Sequence, residues 1–80
     1  MNTKTVVVYS QPGWIFCDKV KEFLSQNGIS YTNRDISQDE QAMEELMELG
    51  YMTTPVVKID EAVVVGFDRK KIEKLLDLNL

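Results

Sequence analysis

The chain carries one cysteine, Cys17, and one tryptophan, Trp14, three positions before it; it carries no histidine. A thiol near the start of a helix is a candidate nucleophile. Unpaired amides and the positive end of the helix dipole favour thiolate over thiol and lower its pKa. A lone thiol cannot close a disulfide within its own chain. Without histidine there is no Ser–His or Cys–His couple, and no His/Cys cage of the four ligands that a structural zinc takes. Two fates remain for Cys17: exchange with a sulfur brought from outside, or burial as a small hydrophobe.

The elements that would hold Cys17 can be read from pattern. Thr5–Tyr9 is β-branched and short, and Ser10-Gln11-Pro12-Gly13 ends it, so a buried strand runs into a loop. From Phe16 the apolar positions Cys17, Val20 and Leu24 fall at helical spacing, with Phe23 beside them. Gly28 is expected to end that helix in a left-handed conformation, with Ile29 packing back on its last turn. Tyr31–Ile36 alternates and reads as a second strand. Ser37-Gln38-Asp39-Glu40 has the form of a capping box, opening a helix whose apolar stripe is Ala42, Met43, Leu46 and Met47; Gly50 stops it. Pro55–Ile59 and Ala62–Val65 form a hairpin around Asp60-Glu61. Asp68 can cap a last helix that buries Ile72, Leu75 and Leu76. The order is β-α-β-α-β-β-α. Strands joined by a helix should be parallel and the hairpin strands antiparallel. An α/β domain with a mixed four-stranded sheet and three helices is expected over residues 1–80.

Composition narrows the partners. The net charge is −4, with no block of Lys and Arg, which speaks against nucleic acid and anionic membrane. No apolar run approaches the roughly 20 residues a bilayer span needs, and residues 1–16 carry no signal-peptide pattern. A cytoplasmic monomer is the expectation. Asp39, Glu40, Glu44, Glu45 and Glu48 read as solvated helix faces. Met43, Met47 and Met52 read as core and loop packing rather than as metal ligands.

In an open α/β sheet, ligands gather beyond the carboxyl ends of the parallel strands. Here that is the loop Ser10–Phe16. Val8-Tyr9-Ser10-Gln11-Pro12-Gly13, Cys17-Asp18-Lys19-Val20-Lys21-Glu22-Phe23-Leu24, Thr54-Pro55-Val56-Val57 and Val65-Gly66-Phe67-Asp68 follow one another along nearly the whole chain. Together, in this order and at these separations, they resemble the glutaredoxin family. The likeness is to its small bacterial members, some of which donate electrons to ribonucleotide reductase.

The resemblance implies a thioredoxin-like fold and thiol–disulfide exchange, with no permanently bound cofactor, no metal, and glutathione as a co-substrate. It implies a Cys-x-x-Cys pair at positions 14 and 17. Trp14 then stands in the nucleophile position and Cys17 in the resolving position. A shift of register that makes Cys17 the nucleophile fits less well, because the helical stripe begins at Cys17 itself. The resemblance also implies a cis Thr54-Pro55 bond facing these positions, with Thr54 pairing its backbone with bound peptide or glutathione. Gly66, Phe67 and Asp68 would hold the glutathione amino group, and Asp68 can serve as helix cap at the same time.

Several positions depart from the family pattern. Gln11 stands where many glutathione-dependent members carry Lys or Arg, and Phe16 where a tyrosine is common. Arg69 replaces a second acidic residue, and Arg69 or Lys70 could return a positive charge. These departures count against glutathione specificity and leave thioredoxin reductase, or a protein partner without glutathione, as plausible as glutathione itself. Trp14 itself has three readings. As written, it disables exchange. It could mark a native cysteine or selenocysteine, whose codons differ from that of tryptophan only at the third base. Or the chain is a non-catalytic peptide-binding module whose apolar surface is Trp14, Phe16, Pro55 and Phe67. An iron–sulfur role would need the sulfur that position 14 lacks.

Overall fold

In the computed structural model of the chain, residues 4–77 are described. The elements are β1 (Val6–Ser10), α1 (Ile15–Gln26), β2 (Thr32–Asp35), α2 (Glu40–Glu48), β3 (Val56–Ile59), β4 (Ala62–Val65) and α3 (Arg69–Leu75). The sheet runs β2-β1-β3-β4. β1 pairs parallel with β2, antiparallel with β3, and β3 pairs antiparallel with β4. This is the mixed sheet that the pattern predicted.

Alternation along the strands divides the core in two. Val6, Val8, Val57, Ile59 and Val64 point to one face, where Val20, Phe23 and Leu24 of α1 and Ile72 and Leu76 at α3 cover them. Tyr9 and Val56 point to the other, under Leu46 of α2, with Val7 and Val63 partly buried beside them. Because both faces are covered, β1 reads as an unbroken apolar run. Residues that favour extended backbone fill it, so propensity and burial agree.

Two helix ends are set by glycine. Gly28 has φ +69°, its amide donates to the Ser25 carbonyl at 3.1 Å, and that of Ile29 donates to Leu24 at 2.9 Å. Gly50, at φ +91°, and Tyr51 repeat the arrangement on Met47 and Leu46. In each case the left-handed glycine lets its own amide and the next one satisfy carbonyls of the last helical turn.

The start of α2 corrects the expected capping box. Its cap is Asp39, whose Oδ1 accepts from the amides of Gln41 and Ala42 at 3.0 and 3.3 Å. Ser37 is engaged elsewhere: its hydroxyl and amide both donate to Asp35 Oδ1, at 2.6 and 2.9 Å. A carboxylate at the positive end of the helix is the stronger cap. The α2 stripe is also narrower than expected, with Ala42 and Leu46 buried, Met43 half-buried and Met47 exposed. β3 begins at Val56 rather than Pro55; proline has no amide to give to a ladder. Asp68 does cap α3, accepting from the Lys71 amide at 3.2 Å. Among the described residues no helix is long and apolar enough to cross a membrane.

Candidate functional site

β1 delivers Ser10 and Gln11 to the end of the sheet, and the turn through Gly13, at φ +86°, brings the chain back into α1. Trp14 is the N-cap of α1, with φ −98° and ψ 112°, and no side chain caps this helix. Its carbonyl accepts from the amides of Cys17 and Asp18 at 3.0 and 3.4 Å. The indole is 54 % exposed, while Cys17, one turn further in, is fully buried at 0 %. A side-chain acceptor at position 14 would therefore meet the free amides of an uncapped helix, the setting that stabilises an anion.

Across from Trp14 lies the Thr54-Pro55 turn, whose peptide bond is cis. Gln11, Trp14, Ile36, Met52, Thr53 and Thr54 line a cavity of about 100 Å³ between the two. No side chain in that lining is ionisable. Pro55 is buried, and its carbonyl accepts from the Gly66 amide at 2.8 Å, which ties the Gly66-Phe67-Asp68 turn to the site.

Gln11, Trp14 and Thr54 thus share one cavity, with Cys17 sealed one turn into the adjoining helix. Phe16 stands apart from that lining, 54 % exposed on the first turn of α1. Phe67 packs edge-on against Phe23 with ring centroids 6.0 Å apart. Arg69 is already engaged: its guanidinium lies 5.3 Å from the Phe23 ring centre and its Nε donates to Glu73 at 2.9 Å. Asp68 is exposed and spends one oxygen on its cap.

The pattern did not point to Ile36, Met52 and Thr53 as cavity walls. Ile36 follows a strand that the pattern did find, so its place at the mouth of the sheet could have been inferred. Met52 and Thr53 are set by tertiary packing of the α2–β3 loop, which leaves no local signal. Two acids read as solvated are in fact structural. Arg34 of β2 donates from Nε and Nη2 to the two oxygens of Glu45 at 3.2 and 2.7 Å, and from Nη1 to Asp39 at 3.3 Å. The Tyr9 hydroxyl donates to Glu45 at 3.1 Å. The Glu45 hydrogen bond is the main reason the guanidinium holds its proton more firmly than usual. Burial first, and the Glu45 bond second, push the Tyr9 hydroxyl above its ordinary pKa. This clasp ties α2 to β1 and β2; the loop carrying Met52–Thr54 follows α2 in the chain. The hydroxyl of Ser37, and then its amide, hold the Asp35 carboxyl below the usual range.

Comparison with known proteins bears on what this end of the sheet does. Residues 6–64 match the family model named Glutaredoxin. The chain is 32 % identical over 73 residues to a glutaredoxin-like 8.6 kDa protein encoded in a rubredoxin operon of Clostridium pasteurianum, covering 90 % of this chain and 97 % of that one. It is 30 % identical over 70 residues to the glutaredoxin-like protein NrdH of Lactococcus lactis subsp. cremoris, covering 88 % and 97 %. The crystal structure of the thioredoxin-like protein BC3987 superposes with a TM-score of 0.86 at 38 % identity, covering 90 % of this chain and 100 % of that one.

Proposed function

The chain belongs to the glutaredoxin family, and from that premise we propose that the Trp14–Cys17 turn is its thiol–disulfide exchange site, with the indole standing in the attacking position. The scaffold is that of a thiol–disulfide oxidoreductase. One observation carries the proposal: Trp14 is the uncapped start of α1, facing the Thr54-Pro55 turn, while the sole thiol is 0 % exposed one turn inward.

Exchange begins when a thiolate attacks one sulfur of a disulfide, forming a mixed disulfide and expelling the other sulfur as a thiolate. An indole has no sulfur to offer. Cys17 sits where a resolving thiol would attack the mixed disulfide, but its burial keeps an external disulfide away. As written, the chain is therefore impaired in two-thiol exchange. A cysteine or selenocysteine at position 14 would complete the site, and codon 14 of the source gene decides whether one belongs there.

The cavity chemistry favours a protein disulfide over glutathione. Gln11 brings no charge, and Arg69 is held by Glu73 and Phe23. The reading therefore takes thioredoxin reductase as electron donor and a protein such as ribonucleotide reductase as acceptor. The test is turnover of a disulfide substrate by the chain and by Trp14→Cys, once with glutathione and its reductase and once with thioredoxin reductase. Activity only in Trp14→Cys, and only with thioredoxin reductase, is expected; equal high activity in both chains overturns the proposal.

A second reading has its own support. Of the apolar surface expected for it, Pro55 is buried and Phe67 packs against Phe23, whereas Trp14, Phe16 and also Ile15 and Met52 are 54, 54, 64 and 77 % exposed. Aromatic anchors of this kind dominate protein interfaces. On this reading the chain is a non-catalytic binding module. Affinity for purified thioredoxin reductase or ribonucleotide reductase should then fall in Trp14→Ala, and an unchanged affinity for both counts against it.

A further inference from the structure

Met52 is 77 % exposed, more than any other large apolar side chain among the described residues. It also forms part of the cavity wall facing Trp14. The other apolar walls, Ile36 and the indole, offer peroxide no comparable lone pair. The thioether does, and nothing shields it. Cys17, in the first turn of α1, is fully buried.

We propose that Met52 is an oxidation switch on the Trp14 cavity. A hydroperoxide transfers one oxygen to the thioether sulfur. The S–O bond forms as the O–O bond breaks; sulfur loses two electrons, and hydrogen peroxide is reduced to water. The product is a polar, chiral sulfoxide in place of a flexible apolar wall, and methionine sulfoxide reductases can reverse it. Before oxidation Trp14, Ile36 and Met52 are the apolar side chains of a mixed lining, whose polar side chains are the neutral amide and hydroxyls of Gln11, Thr53 and Thr54. Afterwards a strong acceptor faces the indole. The cavity then holds apolar side chains less well; this consequence for a docked protein segment rests on the functional reading above, whereas the oxidation and the change of polarity do not.

Two of the other methionines provide controls within the same chain. Met47 is 53 % exposed on α2 but takes no part in the cavity lining, and Met43 is half-buried. Exposure alone would make Met47 react; only Met52 should also be felt by the indole. Trp14 is the sole tryptophan, so its fluorescence reports on this site alone.

The full chain is treated with graded hydrogen peroxide, and each sulfoxide is followed by peptide mass spectrometry alongside Trp14 emission and acrylamide quenching. Met52 should oxidise several-fold faster than Met43. The emission shift should track Met52 sulfoxide, survive in Met47→Leu, vanish in Met52→Leu, and revert on treatment with methionine sulfoxide reductases. Untreated Met52→Gln should already show the shifted emission. Oxidation of Met52 with no change at Trp14, an unchanged response in Met52→Leu, or reaction no faster than at Met43 would each overturn the switch. None of these readings needs a partner or turnover, so they stand or fall apart from the Trp14→Cys assay.

Discussion

The two faces of the sheet are held by different physics. On the α1/α3 side, ten buried apolar residues from five elements close on one another. On the α2 side, among the described residues, the buried core cluster is Tyr9, Leu46 and Val56, with Ala42 buried on the helix beside it, and a guanidinium ties the helix down through Glu45 and Asp39. The first face fixes the helix that begins at Trp14 and holds Cys17. The second holds the helix that leads into the loop carrying Met52, Thr53 and Thr54. The candidate site lies at the seam, with one wall set by hydrophobic burial and the other by a charged clasp. The two walls should therefore fail in different ways.

The sharpest contrast comes from the dry side. Leu24 is 0 % exposed among α1, α3 and the sheet. Leu24→Ala should cost about 2–5 kcal/mol of stability, the range for a buried leucine that leaves a cavity. Chemical denaturation measures it, and a loss under about 1 kcal/mol would mean that this face is not the dominant core.

On the wet side, Arg34→Ala should destabilise less than Leu24→Ala, and in a different manner. It leaves the Glu45 carboxylate with only the Tyr9 hydroxyl, and the expected result is a looser α2 and α2–β3 loop. Trp14 emission should shift in this variant under conditions where the chain is still folded, and added salt should narrow the stability gap between it and the parent, because ion pairs at this exposure are screened. A gap that salt leaves unchanged, with no shift at Trp14, would make the clasp ordinary packing.

The smallest effect belongs to Ser37→Ala. Asp35 has its pKa lowered on folding, mainly by the Ser37 hydroxyl. A depressed carboxyl stabilises the fold above its unfolded pKa, and that contribution is lost as pH falls through the folded value. The variant should therefore melt slightly below the parent at neutral pH and converge with it in acid. A difference that grows in acid would reverse the sign and refute the assignment.

The same division explains what the sequence disclosed. Local signals are strong where one residue settles the backbone: Gly28 and Gly50 both take positive φ, Asp68 caps α3, and the Ala62–Val65 strand lies where the hairpin around Asp60-Glu61 put it. They fail where the deciding partner is distant. Glu45 looks like any exposed helix acid until Arg34, eleven residues away, and Tyr9, thirty-six away, are seen to meet it. Ser37 fits the capping-box spacing, but an earlier aspartate claims its hydroxyl. For the site, motif order placed Gln11, Trp14 and Thr54, all of which share the cavity, whereas Met52 entered it through the fold alone.

On the reading proposed above, exchange chemistry starts at position 14. The initial rate of reduction of a small-molecule disulfide, compared among the chain, Trp14→Cys and Trp14→Cys combined with Cys17→Ser, tests it most directly. The account predicts a rate near background for the chain, a large gain in Trp14→Cys, and in the double variant a first attack that stalls at the mixed disulfide. A brisk rate in the unaltered chain, or none in Trp14→Cys when it is folded and its new thiol reacts with an alkylating reagent, would contradict it.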